Sequence, residues 1–208
     1  MNVTWLLDRA SSRLLRSDGR AFDRATQGWI AATVPAAAVP VHAYDALRWL
    51  AGVGVAWRVP VGVIGPREVD AERYALAEAI GHALAQARVP VLCGGRTGIM
   101  EAACRGVQRG GGVAIALLPE GDPALANPYA SVVVATGIGE ARNALIARAS
   151  ACLVAIGDSY GTLSEVALGR QFGKRVFGLA GAAEVDGVEH VADAIEALRR
   201  VGEVLLGT

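Results

Sequence analysis

The chain has 208 residues, enough for one domain of ordinary size with a small addition. Hydrophobic residues make up 53% and charged residues 19%, so a substantial core can form, and 20 basic side chains balance 20 acidic ones, which argues against a nucleic-acid or membrane-surface partner. Uninterrupted apolar runs stay short of the ~18 residues that a membrane span needs, and the opening MNVTWLLDR has neither the basic stretch nor the apolar length of a secretory signal, so a cytoplasmic location is expected.

Residues 1–58 form the first expected unit, a small N-terminal appendage. Short strand-like runs at 3–7 and 13–16 flank Ser11-Ser12, and Ser17-Asp18-Gly19 makes a turn. Residues 30–40 read as a Pro/Ala loop, and 44–50 as a short helix with Leu47, Trp49 and Leu50 apolar. Trp5, Trp29 and Trp49 lie in this stretch, so it should pack aromatic rings on the rest of the protein or on a second subunit.

From residue 59 to 208, the second unit, strand and helix alternate. Apolar runs at 61–64, 90–93, 113–118, 131–135, 152–156 and 175–179 read as strands. Helical spacing covers 71–88, 99–109, 140–149, 162–172 and 190–200. This alternation predicts an α/β Rossmann-like parallel sheet with helices on both faces, where ligands bind at the carboxyl edge. Cys93, Cys104 and Cys152 sit in apolar patterns and form no CxxC pair, so they are expected as reduced core residues with no metal site.

Two strand-to-helix turns share a glycine pattern: Gly94-Gly95-Arg96-Thr97-Gly98, and Gly157-Asp158-Ser159-Tyr160-Gly161-Thr162. Glycine permits a sharp turn and close backbone approach, and the following helix start offers free N–H groups and a positive dipole end to an anion. The hydroxyls of Ser159 and Thr162 add donors, and Gly65-Pro66-Arg67 makes a third turn of this kind. No lysine follows as in a P-loop, and neither turn is GxGxxG. Arg142 and Asn143 enter a helix one unit earlier, where an arginine can reach a phosphate or sugar. Glu165 lies in the first turns of the helix after Gly161. The plain alternatives are a helix-dipole role for Glu165 and a solvated surface charge at Arg142.

The stretches GGRTGIMEAACRGVQRGGG, LPEGDPALANPY, TGIGEARN and IGDSYGTLSEVALGRQFGKRV resemble the LOG superfamily of Rossmann-fold proteins, in order, from about residue 61 to 179. Members once carried a lysine decarboxylase label, but no pyridoxal-binding framework is recognisable here. The GGRTG, ANPY, GEARN and GTLSE segments are most similar to the branch of molybdenum cofactor carriers. That resemblance implies a homodimer that binds a phosphorylated small molecule, the molybdenum cofactor or a nucleotide. Its cavity would be built from Gly65, Gly94, Gly95, Arg96, Thr97, Gly98, Arg142, Asn143, Gly157, Ser159, Tyr160, Gly161, Thr162 and Glu165. The cytokinin-activating branch implies a different function, hydrolysis of a nucleoside 5′-monophosphate to free base and ribose 5-phosphate. There Arg142 and Glu165 would be catalytic. The chain departs from that branch's PGGxGTxxE signature: Gly161, Thr162 and Glu165 match its end, Ile156-Gly157-Asp158 stands in place of the Pro-Gly-Gly portion, and Asn143 replaces a lysine. Asp158 would repel a phosphate unless it turns away or pairs with Arg96 or Arg67.

Overall fold

The computed structural model describes residues 3–207. It opens with strands β1 (Trp5–Asp8), β2 (Arg13–Arg16), β3 (Arg20–Asp23), β4 (Gly28–Ala31) and β5 (Val39–Val41), then helix α1 (Ala43–Gly52). The five strands make one antiparallel sheet in the order β4-β3-β2-β1-β5. Two of them fall at the ends of the stretch expected to be a loop. β4 forms because Trp29 seats its ring edge-on against Phe22, 5.5 Å between centroids, in register on β3. β5 tolerates Pro40 because it is an edge strand, pairing only with β1.

The second sheet follows as β6 (Val61–Ile64), α2 (Ala71–Gln86), β7 (Val91–Cys93), α3 (Ile99–Arg109), β8 (Ala114–Leu118), β9 (Val132–Ala135), α4 (Asn143–Ala149), β10 (Leu153–Ile156), α5 (Tyr160–Gln171), β11 (Val176–Leu179), β12 (Glu189–His190) and α6 (Ala194–Leu206). All its pairings are parallel, in the order β12-β11-β10-β6-β7-β8-β9. The Rossmann-like architecture is as the alternation predicts. The last helix runs further than expected, because residues 201–206 continue the apolar stripe with Val201 and Leu206 buried. The two-residue strand β12 carries no hydrophobic run and is held by pairing with β11.

The sheet divides two cores. Val154 and Ile156 of β10 face one, Leu153 and Ala155 the other, as alternation along a strand buried on both faces requires. The first core runs without interruption from Trp5, Leu14 and Phe22 of the small sheet to Leu198 and Leu206 of α6. Trp29 Nε1 donates to the Leu206 carbonyl at 2.7 Å and Arg16 Nη1 to that of Gly207 at 3.3 Å. The appendage thus supplies partners to carbonyls that the end of α6 would leave open.

The topology fixes where a ligand can enter. From β6 the chain steps outward through β7, β8 and β9, then returns to place β10 on the other side of β6. The helices leaving β6 and β10 therefore diverge to opposite faces, opening a crevice at the carboxyl ends of these two strands. At the far edge, β8 and β9 are joined through a single short 3-10 turn (Pro123–Leu125); Ile115 pairs with Val132 and Leu117 with Val134, and Ile115 and Leu117 pack partly against the second core. Val132 and Val134 are 45% and 43% exposed.

Helices α2 and α3 meet at two glycines. A Cβ at Gly81 would fall 2.2 Å from the Ala103 carbonyl oxygen, and one at Gly106 would fall 2.0 Å from that of Glu78. Helix propensity favours alanine by roughly 1 kcal/mol. Backbone contact reverses the sign: Gly106→Ala should lower stability by about 1–3 kcal/mol, as overpacking does, read as a lower urea midpoint at unchanged slope.

Candidate functional site

A cavity of about 650 Å³ occupies the crevice at the carboxyl ends of β6 and β10. Its walls come from the turn after β6 (Gly65, Pro66, Arg67, Glu68), from Met100 on α3, from Glu140, Arg142 and Asn143 where α4 begins, and from Ser159, Tyr160, Gly161, Thr162, Ser164 and Glu165 at the start of α5.

Two features build the α5 wall. Ser159 caps the helix, accepting from the Thr162 amide at 3.2 Å, and its hydroxyl lies 2.9 Å from that of Thr162. The hydroxyls expected to serve as ligand donors thus bond each other. The amides of Tyr160 and Gly161 start the helix with no residue four positions back to pair with inside it. The Tyr160 ring beside them is 95% exposed and is the single aromatic group in the lining among the described residues.

The α4 wall is organised by one ion pair. Residues 139–142 form a 3-10 turn that delivers Arg142 inward, where it is 4% exposed. Its Nη1 donates to Glu165 Oε1 at 2.9 Å and also to Asn143 Oδ1. Asn143 Nδ2 donates to Ser164 Oγ at 2.7 Å, and that hydroxyl to the Gly161 carbonyl at 2.7 Å. Four residues therefore clasp α4 to the first turns of α5. The guanidinium rests on Gly94, where a Cβ would fall 2.5 Å from Nη2. Burial pushes the Glu165 carboxyl up to about 7, with the Arg142 charge and hydrogen bond offsetting part of that rise.

Of the residues singled out in the sequence, Gly65, Arg142, Asn143, Ser159, Tyr160, Gly161, Thr162 and Glu165 line this cavity. Gly157, Gly94, Gly95, Arg96, Thr97 and Gly98 do not. Gly94 and the turn after it act from behind the wall: Thr97 Oγ1 donates to the Arg67 carbonyl at 3.3 Å, the Ile99 amide donates to that of Pro66 at 3.1 Å, and Arg96 pairs with Glu120. Gly157 lies beside Pro66 and Arg73. Asp158 is exposed and outside the lining, and both candidate partners are taken, Arg96 by Glu120 and Arg67 by Glu140 at 3.5 Å. Sequence reasoning did not assign Pro66, Arg67, Glu68, Met100, Glu140 or Ser164 to the cavity. Pro66 and Arg67 stood in the third turn, Met100, Glu140 and Ser164 lay inside the GGRTGIMEAACRGVQRGGG, GEARN and GTLSE stretches, and Glu68 carried no signal beyond adjacency to a glycine turn.

The sequence profile of the SLOG cluster4 family matches residues 58–204. An uncharacterised protein of Archaeoglobus fulgidus is 38% identical over 128 residues, 62% of this chain and 84% of its own length. Among solved structures, the molybdenum cofactor binding protein of Rippkaea orientalis superposes with a TM-score of 0.67 at 25% identity, covering 72% of this chain and 99% of that one. The Moco carrier protein of Chlamydomonas reinhardtii superposes with a TM-score of 0.64 at 31% identity, covering 71% and 98%.

The ion pair has an asymmetric consequence. Glu165→Leu leaves an arginine buried that cannot shed its charge, and should cost about 3–5 kcal/mol. Arg142→Leu should cost less, because Glu165 then takes up a proton, and the double variant should recover much of the Glu165→Leu loss. Urea titrations of the three variants near neutral pH check this, and equal losses in both single variants would contradict it.

Proposed function

The chain belongs to the SLOG cluster4 family, and on that premise we propose that it binds a phosphorylated heterocycle, a pterin such as the molybdenum cofactor or a nucleotide, in the cavity beside β6 and β10. The observation that carries this reading is the junction of a helix start with a buried arginine in one cavity of about 650 Å³. The amides of Tyr160 and Gly161 and the guanidiniums of Arg67 and Arg142 are suited to a phosphate. Arg67 is engaged by the exposed Glu140 carboxylate at 3.5 Å, a pair worth less than about 1 kcal/mol, which a ligand phosphate can displace. The exposed Tyr160 ring offers a face on which a heterocycle can stack. The likeness to two molybdenum cofactor proteins over 99% and 98% of their length supports the pterin form.

Native mass spectrometry of freshly purified protein tests the reading. A co-purified phosphorylated pterin is the expected result. The second reading, a nucleoside monophosphate hydrolase, has one observation in its favour: Glu165 is a desolvated carboxylate in the lining, suited to stabilising positive charge that develops on a ribose. An empty protein that releases free base from nucleoside monophosphates, and loses that activity about a hundredfold in Glu165→Gln with little change in binding, would replace the carrier reading.

The Glu165 titration gives binding a defined pH dependence. Below about 7 the carboxyl is neutral, and as pH rises through that value the cavity gains a negative charge. Affinity for a phosphorylated ligand should therefore fall for the wild type relative to Glu165→Gln as pH rises from about 6 to about 8. The ligand's own phosphate ionisation is common to both proteins and cancels in the ratio. Calorimetry with AMP or a pterin phosphate at both pH values measures it, and a constant ratio would remove Glu165 from the binding electrostatics.

For the homodimer implied by the family resemblance, the exposed Val132 and Val134 of edge strand β9 offer a suitable surface. Light scattering should give a dimer mass for the wild type and a monomer mass for Val134→Asp. A dimer unchanged by that substitution would place the interface elsewhere.

A further inference from the structure

Beneath the cavity wall lies a pair of thiols that the ligand-binding reading does not use. Cys93 ends β7, and Cys104 lies in the middle of α3, which packs against that strand. Their sulfurs are 3.5 Å apart and both residues are fully buried. Asn127 Nδ2 points at the Cys104 sulfur at 3.7 Å, and the same amide is fixed by the carbonyls of Gly95 at 3.1 Å and Arg96 at 3.2 Å. The Cys93 sulfur also lies 3.9 Å from the carbonyl of Met100, whose side chain lines the cavity.

These contacts make the two sulfurs unlike each other. The contact with Cys93, in which either thiol can donate, and the Asn127 amide that donates to the Cys104 sulfur hold the Cys104 thiol below the usual range despite burial. Asn127 donates to Cys104 and not to Cys93, whose thiol is pushed well above that range by the same sulfur contact and by burial. At 3.5 Å the two sulfurs are close enough for one to attack the other once either is oxidised.

We propose that Cys93 and Cys104 are a redox-modification site, a vicinal dithiol that closes to a disulfide when the protein meets a hydroperoxide. The Cys104 thiolate attacks the peroxide, the O–O bond breaks, and one oxygen remains as a sulfenic acid while the other leaves, protonated, as water or an alcohol. The Cys93 sulfur then attacks the Cys104 sulfur, the S–O bond breaks, and the oxygen leaves as water with the Cys93 proton. Two thiols are oxidised by two electrons and one peroxide is reduced. Closure draws the end of β7 and the middle of α3 together, one residue before Gly94 and one turn along α3 from Met100, which lines the cavity. This site stands independently of what the cavity binds.

Peptide mapping of the full chain after hydrogen peroxide, quenched with N-ethylmaleimide under native conditions, tests it. The expected product is a mass lower by two hydrogens, with tryptic peptides 89–96 and 97–105 joined by a disulfide. Cys152 is an internal control, because it is equally buried and burial pushes its thiol up to about 12. It should stay unmodified, which shows that the bond formed in the folded protein. In Cys93→Ser, Cys104 should instead be trapped by a sulfenic-acid probe such as dimedone. No joined peptide, Cys104 carried to the sulfinic acid without one, or a joined peptide accompanied by alkylated Cys152 would each overturn the proposal.

Discussion

An arginine cannot be taken out of water alone, and the burial of Arg142 organises everything around the cavity. Its charge calls for Glu165, Glu165 lies on α5, and the two helix starts are thereby locked at one separation. Asn143 and Ser164 complete the clasp, and the guanidinium needs the open space above Gly94, which excludes any side chain there. A sheet-edge crevice is a general property of this topology. One buried ion pair joins two of its walls here.

The cavity is not a simple anion trap. Glu68, Glu140 and Glu165 share the lining with Arg67 and Arg142. The carboxylates divide by environment. Glu165 is buried and drawn toward the neutral form, whereas Glu140 is exposed and engages Arg67 across the mouth. Positive character is therefore concentrated at the α5 helix start and the two guanidiniums. Each guanidinium is already engaged by a carboxylate, Arg142 by Glu165 and Arg67 by Glu140.

Much of this was legible in the sequence. The alternation of short apolar runs with helical spacing announces the parallel sheet, and the glycine turns after β6 and β10 mark the crevice. Arg142 and Glu165 stood out by position, but nothing in their spacing told that they face each other, since that depends on α4 and α5 meeting across the switch point. The turn at residues 94–98 looked like a second cradle and instead supports the turn at Pro66 and Arg67 from behind. A glycine pattern signals close approach without saying whether a ligand or another turn does the approaching. The small sheet was the least legible part. β4 and β5 exist through pairing and the Trp29–Phe22 contact, non-local terms that overrule a Pro/Ala-rich composition.

The clasp between the appendage and α6 has a spectroscopic consequence. The four tryptophans, Trp5, Trp29, Trp49 and Trp57, all precede β6. Trp29 holds the end of α6 through its indole N–H, and Phe22 bridges Trp29 and Trp57. Indole emission therefore reports on the small sheet and its seam with α6, while far-ultraviolet circular dichroism is dominated by helices of the larger unit. Two optical signals already present in the native chain thus watch different halves of one continuous core, and coincidence of their melting curves is the signature of a seam that breaks together with the rest.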